Sequence, residues 1–132
     1  MEKMEIQTFK RCEVIDITSN IRKIVSKSSV RNGICIVYVP HTTAAITINE
    51  NADPSVMKDL MNHLETIVPI NGKFSHIEGN SDAHIKASII GSNRDIIIEN
   101  SSLKLGTWQG IFFLEFDGPR KREIFIKIIK NT

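Results

Sequence analysis

Only four histidines occur in the 132-residue chain, and two of them, His76 and His84, fall within the stretch HIEGNSDAHIKASIIGS, residues 76–92. Glu78, Asn80 and Asp82 lie between or beside them, and Lys86 and Ser88 follow at alternate positions. Imidazole beside carboxylate supports two chemistries. One is binding of a divalent transition metal, zinc or another, through ring nitrogens. The other is proton transfer, with histidine and Asp or Glu exchanging the roles of general base and acid. A third histidine, His41, stands in HTTAAITINENADP (residues 41–54), where Thr43 and Asn49 add hydrogen-bonding groups. His41, His76 and His84 are therefore the candidate metal ligands. The same three with Glu78 and Asp82 are the candidate catalytic groups. Their spacing matches no compact metal signature, neither HExxH nor HxH, so hydrogen-bonded loop histidines remain the plain alternative. His63 falls at the edge of a helical apolar face and reads as a surface residue.

Fixed positive charge comes from Lys86, Arg120 and Arg122, any of which would hold a phosphate or carboxylate, arginine by its two-pronged geometry. The alternative for the arginines is the solvated end of a hairpin. Trp108, in GTWQG, has glycines close on both sides that let a backbone approach a ligand or neighbouring subunit. Phosphate-binding Walker loops, GxGxxG, GxSxG and RNA-binding aromatic motifs are absent. Net charge is +2 with the basic residues scattered, which gives no electrostatic case for nucleic acid. No apolar run approaches membrane-spanning length, and the polar start is unlike a signal peptide. Cys12 and Cys35 form no CxxC pair and read as free thiols, so a soluble cytoplasmic protein is expected.

The elements that must position these groups are mostly strands. Residues 4–10 and 13–17 look extended, and a short helix is predicted over 20–29, where Ile21, Ile24 and Val25 make one stripe. ICIVYV, 34–39, is apolar on both faces, as in a central strand. AITIN, 45–49, alternates. Asp53 and Pro54 open the clearest helix, with Val56, Met57, Leu60, Met61, Leu64 and Ile67 on one side and Pro69 as terminator. Residues 85–90 alternate Ile85, Ala87 and Ile89 against Lys86 and Ser88, which predicts a strand with His84 at its mouth and a polar face. Further strands are expected at 95–99, around IFFLEF, and at 123–129. The turn Asp117-Gly118-Pro119-Arg120 predicts a hairpin between the last two. The whole reads as one domain spanning 1–132, of α+β class with two helices.

Taken together, HTTAAITINENADP, HIEGNSDAHIKASIIGS, LGTWQGIFFLEFDGPR (105–120) and the closing basic strand resemble the YjbQ-like family, also called secondary thiamine-phosphate synthase enzymes. Four blocks in order, over nearly the whole chain, are far more specific than any one. The resemblance implies an α+β fold with a β-sandwich-like core of mostly antiparallel strands, assembled as a homotrimer. It also implies a weak thiamine-phosphate synthase activity, in which a pyrimidine methyl diphosphate joins a thiazole phosphate and pyrophosphate leaves. Residue by residue it marks His41, His76, His84, Glu78, Asn80, Asp82, Lys86, Trp108, Gln109, Glu115 and Arg120. Phe74 departs from the tyrosine expected two residues before the first histidine of the second block. The expected partner is a small phosphorylated molecule held by Thr43, Asn49, Asn80, Lys86, Trp108, Gln109 and Arg120. Two other readings stay open: a non-catalytic metal- or anion-binding regulatory module, and polar blocks that mainly build a subunit interface.

Overall fold

A computed structural model describes all 132 residues. The chain forms β1 (Glu2–Gln7), β2 (Glu13–Asp16), α1 (Thr18–Lys27), β3 (Gly33–Tyr38), β4 (Ala44–Glu50), α2 (Pro54–Ile67), α3 (Ser81–Ile90), β5 (Asn93–Glu99), β6 (Ser102–Leu103), β7 (Gln109–Glu115) and β8 (Lys121–Lys130). Every strand pairing is antiparallel. One sheet has the order β1-β8-β3-β5-β6 and the other β2-β7-β4. This is the α+β sandwich expected, with three helices in place of two.

Alternation in the strands builds two cores that share the smaller sheet. Between the sheets, Cys35, Val37, Ile96, Ile124 and Ile126 meet Ile46, Ile111 and Phe113, with Ile21 and Val25 of α1 closing one side. On the other face of the smaller sheet, Ala45, Phe112 and Leu114 pack against Met57 and Leu64 of α2 and Ala83 and Ala87 of α3. The outer face of the larger sheet has no covering layer. Ile34 and Tyr38 of its central strand are thus exposed, although ICIVYV reads as apolar on both faces.

Two expectations are corrected. Residues 85–90 are the second half of helix α3, not a strand. The inward face of α3 is Asp82, Ala83, Lys86 and Ala87, while Ile85 and Ile89 point outward. Burying charge and exposing isoleucine erases the helical hydrophobic period and leaves an accidental period of two. Second, β7 and β8 do not form a hairpin. β7 pairs with β2 and β4, whereas β8 pairs with β1 and β3. Phe113 and Ile124 both face the inter-sheet core, so the Asp117–Arg120 turn carries the chain from one sheet to the other instead of folding it back alongside. The helix at 54 begins as read, with the Asp53 side chain accepting from the Ser55 N–H at 2.9 Å and Pro54 in the first turn. No helix is long and apolar enough to cross a membrane.

Candidate functional site at the histidine cleft

Helix α3 and the loop before it carry His84 and His76. Their rings meet edge to face, with centroids 5.3 Å apart. His76 Nδ1 lies 3.0 Å from the Ser81 hydroxyl, and its Nε2 is 3.8 Å from the largely exposed Glu78 carboxylate. These two imidazoles, with Phe74, Ser81 and Ile85, border a depression of about 410 Å3. A second depression, about 440 Å3, lies between α3 and the segment joining β3 to β4, and is bordered by His41, Thr42, His84, Ser88 and Ser92. His84 is the one side chain common to both. Gly91, at φ +104°, turns the chain out of α3 and lets Ser92 reach this rim.

His41 has a defined proton arrangement. Its Nε2 accepts the Glu123 backbone N–H at 2.9 Å, so the neutral ring carries its proton on Nδ1. Burial and, after it, the neighbouring Arg122 charge push its pKa below the usual histidine value. His41, which borders the second depression, is therefore neutral near pH 7 with its donor proton on Nδ1. A metal at its Nδ1 would compete with that proton, and Nε2 is already occupied. No three His, Cys, Asp or Glu side chains gather where they could hold an ion. Within one chain the histidines line adjoining depressions and do not fit a three-ligand metal centre.

The charged candidates serve the scaffold. Lys86 and Asp82 are completely buried, and Lys86 Nζ donates to Asp82 Oδ2 at 2.9 Å and also to Glu65. Arg11 grips the same Asp82 carboxylate with two bonds, 2.8 and 3.2 Å. Burial alone would raise the Asp82 pKa, but the Arg11 and Lys86 bonds outweigh it and hold it below the usual carboxylate range. Thr43 Oγ1 accepts from Arg122 at 2.8 Å, and Arg122 Nε donates to Glu115 at 2.9 Å. Glu115 also accepts from the Thr8 hydroxyl at 2.8 Å and the Asp117 N–H at 3.1 Å. Its pKa, which burial would raise, is thereby lowered. Lys86 is thus buried and neutralised by Asp82 and Glu65, and the buried Thr43 hydroxyl oxygen is taken by Arg122.

Asn80 donates to Asp117 at 2.8 Å, and Arg120 pairs with that same carboxylate at 3.0 Å, tying the loop before α3 to the β7–β8 turn. The exposed Arg120 guanidinium is the nominated cation nearest to free. Asn49, Trp108 and Gln109 sit elsewhere: Gln109 lies opposite Glu50 in the ladder whose other end pairs Ala44 with Glu115. Seven residues of strand put about 20 Å between those ends. Trp108 is 62 % exposed, and the Gln109 side chain accepts from the Gly106 N–H. The structure thus brings His41, His76 and His84 to one face and leaves Asn49, Trp108 and Gln109 at the far end of the same protomer. Thr42, Ser88 and Ser92 were not nominated from the sequence, although Ser88 was placed on one polar face with Lys86. With 85–90 read as a strand, nothing placed Ser88 one turn beyond His84.

The fold and cleft define a class: an antiparallel two-sheet sandwich backed by helices, with histidines and hydroxyls on the helix-bearing side. The sequence profile described as "UPF0047 protein YjbQ-like" matches residues 2–131, and the chain belongs to the YjbQ/UPF0047 family. It is 58 % identical to UPF0047 protein MJ1081 of Methanocaldococcus jannaschii, over 96 % of this chain and 92 % of that protein. It is 45 % identical to UPF0047 protein YugU of Bacillus subtilis, over 98 % of both. Among solved structures, an uncharacterised YjbQ/UPF0047 protein from Clostridium acetobutylicum superposes with a TM-score of 0.96 at 53 % identity, covering 98 % of this chain and 100 % of that one. A protein of unknown function from Sulfolobus solfataricus does so at 0.95 and 34 %, covering 98 % and 96 %. The family's function is not established.

Proposed function

We propose that the two depressions sharing His84 form the active site of an enzyme acting on a small phosphorylated molecule, with His84 as the proton carrier. The supporting observation is the division of labour between the two hollows. The one at His41 offers the His41 Nδ1–H and the hydroxyls of Thr42, Ser88 and Ser92, a set suited to phosphate oxygens. The other, walled by Phe74 and Ile85, suits the less polar remainder of the substrate. To His84, which borders both, we assign proton donation to the departing phosphate oxygen.

The reaction class we assign is the transfer that the family resemblance implies. The thiazole nitrogen attacks the pyrimidine methylene, the carbon–oxygen bond breaks, and pyrophosphate leaves with the electron pair and takes a proton from His84, acting as general acid. His41, a neutral donor, would stabilise the departing oxyanion. A divalent ion would need ligands from a neighbouring copy, and a homotrimer would supply one. The test is release of pyrophosphate from the two phosphorylated precursors. Wild type should turn over and His84→Ala should lose about 100-fold or more in kcat. Equal rates in a folded His84→Ala protein would remove the histidine from the chemistry.

One observation favours a second reading, an anion-binding module without turnover. Asp82 with Lys86, and Glu115 with Arg122, are paired internally, which makes a rigid frame with few groups left to react. Saturable binding of inorganic phosphate, abolished by Ser92→Ala with Thr42→Ala, and no product on long incubation would select it.

A further inference from the structure

Trp108 is the only tryptophan in the chain, and it is 62 % exposed. Its backbone is nonetheless pinned. The Trp108 carbonyl accepts the Asn51 N–H at 2.9 Å, and the Gly106 carbonyl accepts the Gln109 N–H at 3.1 Å. The Gln109 side chain in turn accepts the Gly106 N–H at 2.8 Å. Gly110 lets Asn51 close against this tip, since a Cβ there would lie 2.7 Å from Asn51 Nδ2. A large ring held in water on an ordered turn has little backbone freedom left to lose on binding, which is the character of a contact anchor.

The histidine cleft is the complementary half. Phe74 and Ile85 wall its depression at His76 and His84, both stay open to solvent, and exposed Ile77 and Ile89 lie on the same loop and helix. Charge agrees with the match in shape. The tip carries Glu50, opposite Gln109 in the ladder, and the cleft carries Lys73. Glu50 accepts only the Asp53 N–H at 3.2 Å, and neither charge is in an ion pair. Within one protomer the two halves cannot meet. Trp108 precedes β7 at one end, the cleft lies at the Ala44 end of β4, and the ladder between them spans about 20 Å. Two different patches on one chain join copies head to tail, and a head-to-tail contact that closes makes a ring.

We propose that the cleft is completed by a second copy of this chain, whose Trp108 ring packs beside Phe74 and Ile85 and forms a further wall next to His84. Glu50 of the partner subunit then meets Lys73 at the rim. The partner's Trp108 gives the flat, less polar part of a substrate a surface on which to stack. That last consequence rests on the histidine depressions being the active site; the contact between copies does not.

The contact can be trapped covalently. In a Cys12→Ser background, full chains carrying Thr107→Cys are mixed with chains carrying Ser75→Cys and mildly oxidised. Both positions are exposed and Cys35 is wholly buried, so the thiols on offer are one at the tip and one at the cleft. A disulfide-linked dimer formed by the mixture and by neither variant alone is the expected product. Fluorescence gives a second readout, because all tryptophan emission comes from Trp108. Acrylamide quenching should be about threefold weaker in the assembled protein than in a monomeric chain carrying Ile77→Glu with Ile89→Glu. Pyrophosphate release then tests the completed site. Trp108→Ala and His84→Ala chains should each be impaired alone. Refolded together in equal amounts, they should recover about a quarter of wild-type activity, the share of clefts that join an intact His84 to an intact partner Trp108. A wild-type monomer, no mixed cross-link, or a Trp108 quenched as readily as in the monomer would overturn the contact. Wild-type turnover with no recovery in the mixture would overturn the part assigned to the ring. Cross-linking and shielding in a wild type without turnover would uphold the contact and remove the enzyme reading instead.

Discussion

Lys86 and Asp82, one turn apart on α3, are both fully buried and bonded to each other at 2.9 Å, on the face where a helix normally presents hydrophobic side chains. Their pairing depends on Arg11 and Glu65 as well, so α3 is fastened to β2's leading segment and to α2 by charge. Breaking a buried pair from one side leaves the other charge uncompensated, which costs about 3–5 kcal/mol. Lys86→Met should therefore lower the unfolding free energy by that order, read as a lower denaturant midpoint with an unchanged slope. The double variant Lys86→Met with Asp82→Leu should recover part of the loss. A single variant as stable as wild type would show that the buried charges are not a unit.

That inverted helix is also where the sequence was least legible. Most strands could be read from the sequence, β4, β7 and β8 by alternation and β3 as an apolar run, while the sandwich arrangement came from the family resemblance; β4 and β7 are in fact buried on both faces, between the two cores. Helix α2 was legible from its cap and stripe. Helix α3 was not, because Asp82 and Lys86 turn inward and Ile85 and Ile89 outward, and only contacts distant in sequence, Arg11 and Glu65, make that arrangement stable. His41, His76 and His84 were singled out from the sequence, and the structure brings them to one face. The tautomer of His41 was beyond sequence, since it is set by the Glu123 N–H, 82 residues away.

Acid should destabilise the fold through two carboxylates. Glu115 and Asp82 have pKa values depressed in the folded state, their ion and hydrogen bonds outweighing burial. The unfolded chain therefore takes up protons first. Their contribution is complete above the ordinary carboxylate values, 4.5 for Glu115 and 3.8 for Asp82, and is lost as pH falls through the lower folded values. Urea unfolding followed between pH 6 and about pH 2.5 should show that loss. Arg122→Met, which removes the partner of Glu115, should flatten the dependence as well as reduce stability at neutral pH.

His41 makes a separate contribution in a higher window. Its folded pKa lies below the ordinary 6.5, chiefly because it is buried and then because Arg122 is near. The unfolded ring protonates first, so stability should be complete above 6.5 and decline as pH falls from there toward the folded value. His41→Asn removes a group that titrates near neutrality and should abolish that part of the slope while leaving the acid limb intact. An NMR titration of the ring protons gives the folded value directly. A midpoint at or above 6.5 would contradict the hydrogen bond from Glu123, which requires an unprotonated Nε2.

The isoleucines that α3 turns outward have a consequence for assembly. Ile85 and Ile89 are 38 % and 55 % exposed, and Ile77 in the preceding loop is 96 % exposed. They lie on the elements that carry His76 and His84, so a second copy covering them would border the histidine cleft. The expected assembly is the homotrimer, and this strip is the surface we assign to its contacts. Ile77→Glu with Ile89→Glu should convert the assembled protein to monomer in light scattering. Because both sites are exposed, each change should cost the isolated fold no more than about 0.5 kcal/mol. A wild-type chain that remains monomeric at tens of micromolar, or a trimer indifferent to these glutamates, would place the contacts elsewhere. The uncovered outer face of the larger sheet, where Ile34 pairs with Ile97 and Ile129, would then be the next surface to test.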